Sequence, residues 1–217
     1  MRTFTRALTI SGSLAAALAV AGLAATPAAA ATTLSSGHVD VLDSEWDGTD
    51  LHLHVHDEET DTEYEPADAI LSVPAAAKVT NPGYGFLGSG SQIWLLPDTE
   101  TEADTAGVLF AGVSTEHLTS GTFSNDTVTY RLVSATRNGA TTEDFSVYND
   151  ASGSPTRYFD SGSSTIRSRS FTVGAHNHPS WAFEEAGEYK LTFTVSGTVN
   201  GSSVTSEQET FTFTVSN

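Results

Sequence analysis

From Gly37 onward, apolar and polar residues alternate with a period of two. Leu51, Leu53 and Val55 alternate with His52, His54 and His56, and Val128, Tyr130 and Leu132 with Thr127, Thr129 and Arg131. The pattern recurs at Leu191, Phe193 and Val195, and at Phe211, Phe213 and Val215. Successive side chains on a strand point to opposite faces, so each segment predicts a strand with one buried and one wetted face. Antiparallel sheets packed on one side read this way. Such segments number about ten at irregular spacing, which predicts an all-β, immunoglobulin-like antiparallel β-sandwich with very little helix. Asn200-Gly201 signals a hairpin between two strong strands. Ala186-Gly187-Glu188-Tyr189 resembles the corner in which a sandwich Tyr hydroxyl bonds back to its own chain. Clustered glycines (Gly83, Gly85, Gly88, Gly90) mark a loop, and only residues 114–118 read as a helical turn. The acidic, Thr-rich stretches 57–65 and 98–104 read as loops of the same domain.

The N-terminus departs from this pattern. Arg2 and Arg6 precede a short apolar stretch from Ala7 to Ala24, followed by Pro27 and the small run Ala28 to Ala31. That layout predicts a secretory signal peptide over residues 1–31, cleaved after Ala30 or Ala31. The apolar stretch is short for a membrane span. Residues 32–217 are then one secreted β-sandwich domain with no membrane span after cleavage.

Composition narrows the chemistry. The 217 residues hold 9 Lys+Arg against 27 Asp+Glu, a net charge of -18, with no Cys. A disulfide framework, a thiolate zinc site, an iron–sulfur cluster and a cysteine nucleophile are excluded. So acidic a chain does not suit nucleic acid or an anionic bilayer, both of which need a basic surface. The sequence carries no G-x-S-x-G, H-E-x-x-H, P-loop or dinucleotide fingerprint. The expectation is a non-enzyme. Asp57, Asp61 and Glu63 lack the spacing of an EF-hand loop and read as a solvated acidic loop.

The seven His carry the remaining signal. His176 and His178 stand two apart, just before Pro179-Ser180-Trp181-Ala182-Phe183. Residues at i and i+2 on a strand point the same way, with Cα atoms roughly 6.6 Å apart. Their imidazoles can then converge on one cation at about 2.0–2.1 Å. His38 and Asp40, also two apart, are candidates for the third and fourth ligands, with Trp181 and Phe183 walling the site. Without soft ligands the donor set suits a divalent transition metal, zinc first, with copper, nickel or manganese as alternatives. The bland alternative is a loop-tip pair bonded to backbone or water. His52, His54 and His56 read as a solvated strand face, with a second metal face as the fallback. His117 reads as an isolated surface residue.

Several separated segments share an order and spacing. They are Gly37-His38-Val39-Asp40-Val41, Phe86-Leu87-Gly88, Ile93-Trp94-Leu95-Leu96-Pro97, Gly112-Val113-Ser114-Thr115, Asp144 to Tyr148, Phe159-Asp160-Ser161, His176 to Phe183 and Gly187 to Leu191. Together they resemble the actinobacterial surface-anchored protein domain, also called the choice-of-anchor M domain, over nearly all of the chain beyond the leader. The resemblance implies an exported β domain, often wall-anchored, with a metal-related role and a metal-type ABC transporter system as partner. The family pattern H-x-H-x-N-W has Ser180 in place of its Asn here, and no wall anchor is legible, which points to a secreted relative. The expected function is a secreted, non-catalytic metal-binding domain for uptake or buffering outside the cell. The competing expectation is an adhesion or scaffold module with no metal role.

Overall fold

The structure is a computed structural model and describes residues 30–150 and 153–217. Apart from Ala30 and Ala31, the expected leader lies outside the described residues. In chain order the strands begin β1 (Thr32–Leu34), β2 (Gly37–Trp46), β3 (Leu51–Asp57), β4 (Thr62–Tyr64), β5 (Ala69–Val73) and β6 (Lys78–Thr80). Next come β7 (Gln92–Leu96), helix α1 (Glu100–Ala106), β8 (Leu109–Ser114), β9 (Thr127–Arg137), β10 (Ala140–Thr141), β11 (Phe145–Asn149) and β12 (Thr156–Asp160). The chain closes with β13 (Ser168–Thr172), β14 (His176–Asn177), β15 (Ser180–Phe183), β16 (Gly187–Val199), β17 (Ser202–Thr205) and β18 (Glu209–Val215).

These strands form three sheets. An eight-stranded sheet runs β1-β5-β18-β16-β9-β10, with β13 also on β9 and β17 also on β16. One five-stranded sheet runs β12-β11-β15-β7-β6 and the other β14-β8-β2-β3-β4. The fold is therefore all-β and sandwich-like, as the alternation predicts, but its sheets are not antiparallel throughout. β1 and β18 both run parallel to β5, and β8 runs parallel to β2. Alternation reports which face of a strand is buried and carries nothing about its neighbour's direction, so the long crossovers behind these pairs leave no local trace.

Both five-stranded sheets pack on the eight-stranded one. Leu191, Phe193, Val195, Phe211, Phe213 and Val215 are all buried, as are Leu51, Leu53 and Val55. Trp181 stacks on Phe213 at 5.6 Å between ring centroids, and Phe159 meets Phe193 edge-on at 5.1 Å. Tyr130, fully buried, reaches from the large sheet into β2 and β8. Its hydroxyl donates to the Ser114 carbonyl (2.6 Å) and lies 2.7 Å from Ser44 Oγ.

Local turn chemistry behaves as the sequence predicts. The Tyr189 hydroxyl donates to the Glu185 carbonyl at 2.8 Å, closing the expected corner. Asn200 and Gly201 both take positive φ (51° and 80°), the two-residue turn that joins β16 to β17. The 98–104 stretch corrects the loop reading, because it holds most of α1. Glu100 and Glu102 favour the positive helix start, Ala103 is buried, and Gly107 at φ 66° stops the helix. The stretch 57–65 contains β4. Residues 114–118 form a turn in which the Leu118 N–H donates to the Thr115 carbonyl.

Candidate metal centre

One irregularity in β2 borders the site, just after His38 and Asp40, which share a face by their i, i+2 spacing. Asp40 pairs with His56 on β3, but the next pair is Asp43 with His54, so three steps on β2 match two on β3. On a regular strand, residues three apart point to opposite faces. The bulge returns Asp40 and Asp43 to one face while Val41 and Leu42 both turn into the core. That face lies beside β8 and the two-residue β14, where His176 pairs with Ser114.

All four predicted ligands meet there. His176 Nε2 lies 3.1 Å from His38 Nε2, 3.1 Å from His178 Nε2 and 3.0 Å from Asp40 Oδ1. His38 Nε2 is 3.9 Å from the same oxygen. One ligand atom from each of the four residues lies within 4.8 Å of all the others. Tetrahedral coordination at about 2.0–2.1 Å places ligand atoms roughly 3.3 Å apart. One proton on His176 Nε2 satisfies one of its three neighbours, whereas a cation among the four satisfies every lone pair together.

His178 comes within reach because it has already left the strand. β14 ends at Asn177, and the His178 ring lies flat on Phe110, centroids 3.6 Å apart and planes 9° apart. Trp181 and Phe183 anchor the segment in the core, so Phe110 supplies the aromatic wall expected of them. Gly112 makes the space. A Cβ there would lie 1.8 Å from Asp40 Oδ1 and 2.9 Å from His178 Cε1. Glu116 Oε2 sits 2.8 Å from His176 Nδ1, fixing the ring from its far side.

The electrostatics favour a cation over protons. Burial, and then the neighbouring His38 and His176, push the His178 imidazole down to about 3. Burial and His176 also hold His38 below its ordinary value. The His178 ring therefore keeps its lone pair free in mildly acid solution. Asp40 is fully buried, and burial raises its carboxyl to about 6 despite the opposing pull of His176. Its Oδ2 has no hydrogen-bond partner.

The remaining histidines lie beside carboxylates, and among the described residues no two of those on β3 share a ligand group. His52 Nε2 lies 3.3 Å from Asp47 Oδ2, and His54 lies within 3.9 Å of Glu45 and Glu63. His117 is not isolated, since its Nδ1 donates to the buried Asp43 Oδ2 at 2.7 Å. Sequence reasoning missed Phe110, Gly112, Glu116 and Asp43. Only Gly112 carried a local signal, a glycine inside an otherwise apolar strand. A cavity of about 710 Å³ lined by Phe86, Glu143, Asp144, Arg157, Asp160 and Glu184 contains none of the four ligands, and the chemistry of the cluster outweighs that volume as a guide to function.

Among the described residues no helix is long and apolar enough to cross a membrane. No family model, no curated protein and no solved structure matches this chain.

Proposed function

We propose that this chain is a non-catalytic domain that binds a divalent transition metal, zinc first, through His38, His176, His178 and Asp40. The observation that carries the reading is the convergence of three imidazole Nε2 atoms and one buried carboxylate oxygen over a glycine that leaves them room. Three nitrogens and one oxygen, without sulfur, suit Zn²⁺, Cu²⁺ or Ni²⁺ better than Cu⁺. Release outside the cell, a role in metal uptake or buffering, and a metal-type ABC transporter as partner belong to the same proposal. They rest on the leader-like N-terminus and on the resemblance to the actinobacterial surface-anchored domain.

The test is metal content by plasma mass spectrometry on protein purified without an affinity tag, followed by calorimetric titration with Zn²⁺. Wild type should retain metal, and the double change His176→Ala with His178→Ala should lose it while keeping its β-sheet dichroism. Full affinity in the double variant would remove the metal reading and favour the adhesion or scaffold module.

A further inference from the structure

His56 lies outside the three-His cluster and directly across the sheet from Asp40. It is 8% exposed, and its Nδ1 is buried without a hydrogen-bond partner, 3.2 Å from Glu58 Oε1. Its Nε2 lies 3.4 Å from Asp61 Oδ1, so the ring is held from behind. The Glu58 backbone is tied to the first site, its N–H donating to the His38 carbonyl at 3.1 Å. Asp40 belongs to both groups of candidate ligands. Oδ1 faces His176 and His38, and Oδ2 is buried and accepts no hydrogen bond. One ligand atom from each of Asp40, His56 and Glu58 lies within 4.8 Å of the others.

A carboxylate oxygen and an imidazole nitrogen, both buried and both unpartnered beside a third donor, are what a missing cation leaves behind. We propose that a second divalent cation binds between Asp40 Oδ2, His56 Nδ1 and Glu58 Oε1, so that the Asp40 carboxylate bridges two metal ions. The inference rests on the first site being a metal site. Two oxygens and one nitrogen make the second position harder than the first, suited to Zn²⁺ or Mn²⁺. A bridging carboxylate sets the two ions about 3.5–4 Å apart. The neighbouring Asp43 gives Oδ2 to His117 and keeps its other oxygen buried and unpartnered, and this pair also lies within ligand distance of His56.

Equilibrium dialysis of the whole chain against Zn²⁺, with metal counted by plasma mass spectrometry, reads the stoichiometry directly. Wild type should hold two ions. Glu58→Gln, a change at a partly exposed position that leaves the core untouched, should hold one, and so should His56→Ala. One ion in wild type with no change in either variant would overturn the second site and leave the first standing. No ion in wild type would overturn both. The bridge has its own readout, because protein loaded with two Mn²⁺ should give an exchange-coupled electron paramagnetic resonance spectrum. Two independent Mn²⁺ signals would overturn the shared carboxylate.

Discussion

Two groups of three histidines occupy one face of the same five-stranded sheet, yet only one converges. His52, His54 and His56 repeat at i, i+2 and i+4 on β3, and no two of them share a ligand cluster among the described residues. The His52 and His54 rings stay 6.0 Å apart, each beside its own carboxylate. His176 and His178 have the same i, i+2 spacing but bring their Nε2 atoms to 3.1 Å. A regular strand holds alternate side chains parallel, which keeps their tips as far apart as their Cα atoms. Convergence requires the regularity to fail. Here β14 ends between the two histidines, and Gly112 leaves the centre open beside His38 and Asp40.

The largest effect should come from closing that centre. Gly112→Ala places a methyl 1.8 Å from Asp40 Oδ1, on a backbone that does not need positive φ. Zn²⁺ affinity should fall by roughly 100-fold or more, beyond the 10–100-fold typical of losing a supporting contact. Calorimetry measures the loss, and an unchanged dichroism spectrum shows the sheet intact. Wild-type affinity in this variant would mean the cation sits elsewhere.

Asp40→Asn separates binding from stability. The buried carboxylate is a ligand when metal is present and a cost when it is absent. Its pKa lies near 3.8 in the unfolded chain and about 6 in the folded one. The folded state therefore holds the extra proton between those values, and metal-free stability is lost as pH rises through about 6. Asp40→Asn should raise the metal-free melting free energy by on the order of 1–3 kcal/mol at pH 7.5. The gain should vanish below about pH 4. Affinity for Zn²⁺ should drop in the same protein.

The same residue sets the pH dependence of binding. Free imidazole alone would place the loss near 6.5. His178, held down to about 3, contributes none of it in the mildly acid range. Wild-type Zn²⁺ affinity should hold down to about pH 6 and decline below it as Asp40 takes its proton. For the metal-free fold His178 acts with the opposite sign to Asp40: the unfolded chain protonates this ring below 6.5 while the folded state holds it neutral, so stability falls as pH falls from 6.5 toward 3. Competition titrations between pH 5 and pH 7.5 locate the midpoint. A midpoint at 6.5 that persists in Asp40→Asn would assign it to imidazole instead.

Tyr130→Phe tests the support beneath the site. It removes the hydroxyl that ties Ser114 to the large sheet and leaves the buried Ser114 carbonyl with only the longer bond from Ser44 Oγ (3.4 Å), which costs about 1 kcal/mol of stability. Zn²⁺ affinity should change less than about tenfold, since no ligand touches this ring. Thermal and denaturant unfolding measure the first effect and calorimetry the second.

The contrast between the two histidine groups also explains what was legible in the sequence. Burial of Leu51, Leu53 and Val55 follows from period-two alternation, and the Tyr189 corner and the Asn200-Gly201 turn follow from local chemistry that tertiary packing did not override. His38, Asp40, His176 and His178 were nominated from two i, i+2 pairs, a spacing that His52, His54 and His56 share, so spacing alone did not separate the converging group from the parallel one. The bulge at Val41-Leu42 was not legible, since two consecutive apolar residues in a strand look like any buried run. Phe110 and Glu116 contribute only through the parallel β2–β8 pairing and the β14–β8 register, which are long-range facts with no local pattern.

The smallest expected effect is the sharpest test of the comparison. His52→Ala with His54→Ala removes two histidines from the same sheet face without touching His38, Asp40, His176 or His178. His52 is exposed beside Asp47, and His54 is held between Glu45 and Glu63 at 3.8–3.9 Å. The exposed His52–Asp47 pair contributes about 0–1 kcal/mol, whereas the His54 side chain is only 13% exposed. Stability should change by about 1–2 kcal/mol, mostly through His54, and Zn²⁺ affinity at the three-His site should stay within about twofold, because neither ring belongs to the four-residue cluster. If the double variant instead loses affinity as steeply as Gly112→Ala, the whole face acts as one extended ligand array. The distinction between converging and parallel histidines would then fail, even though the geometry of both groups is as described.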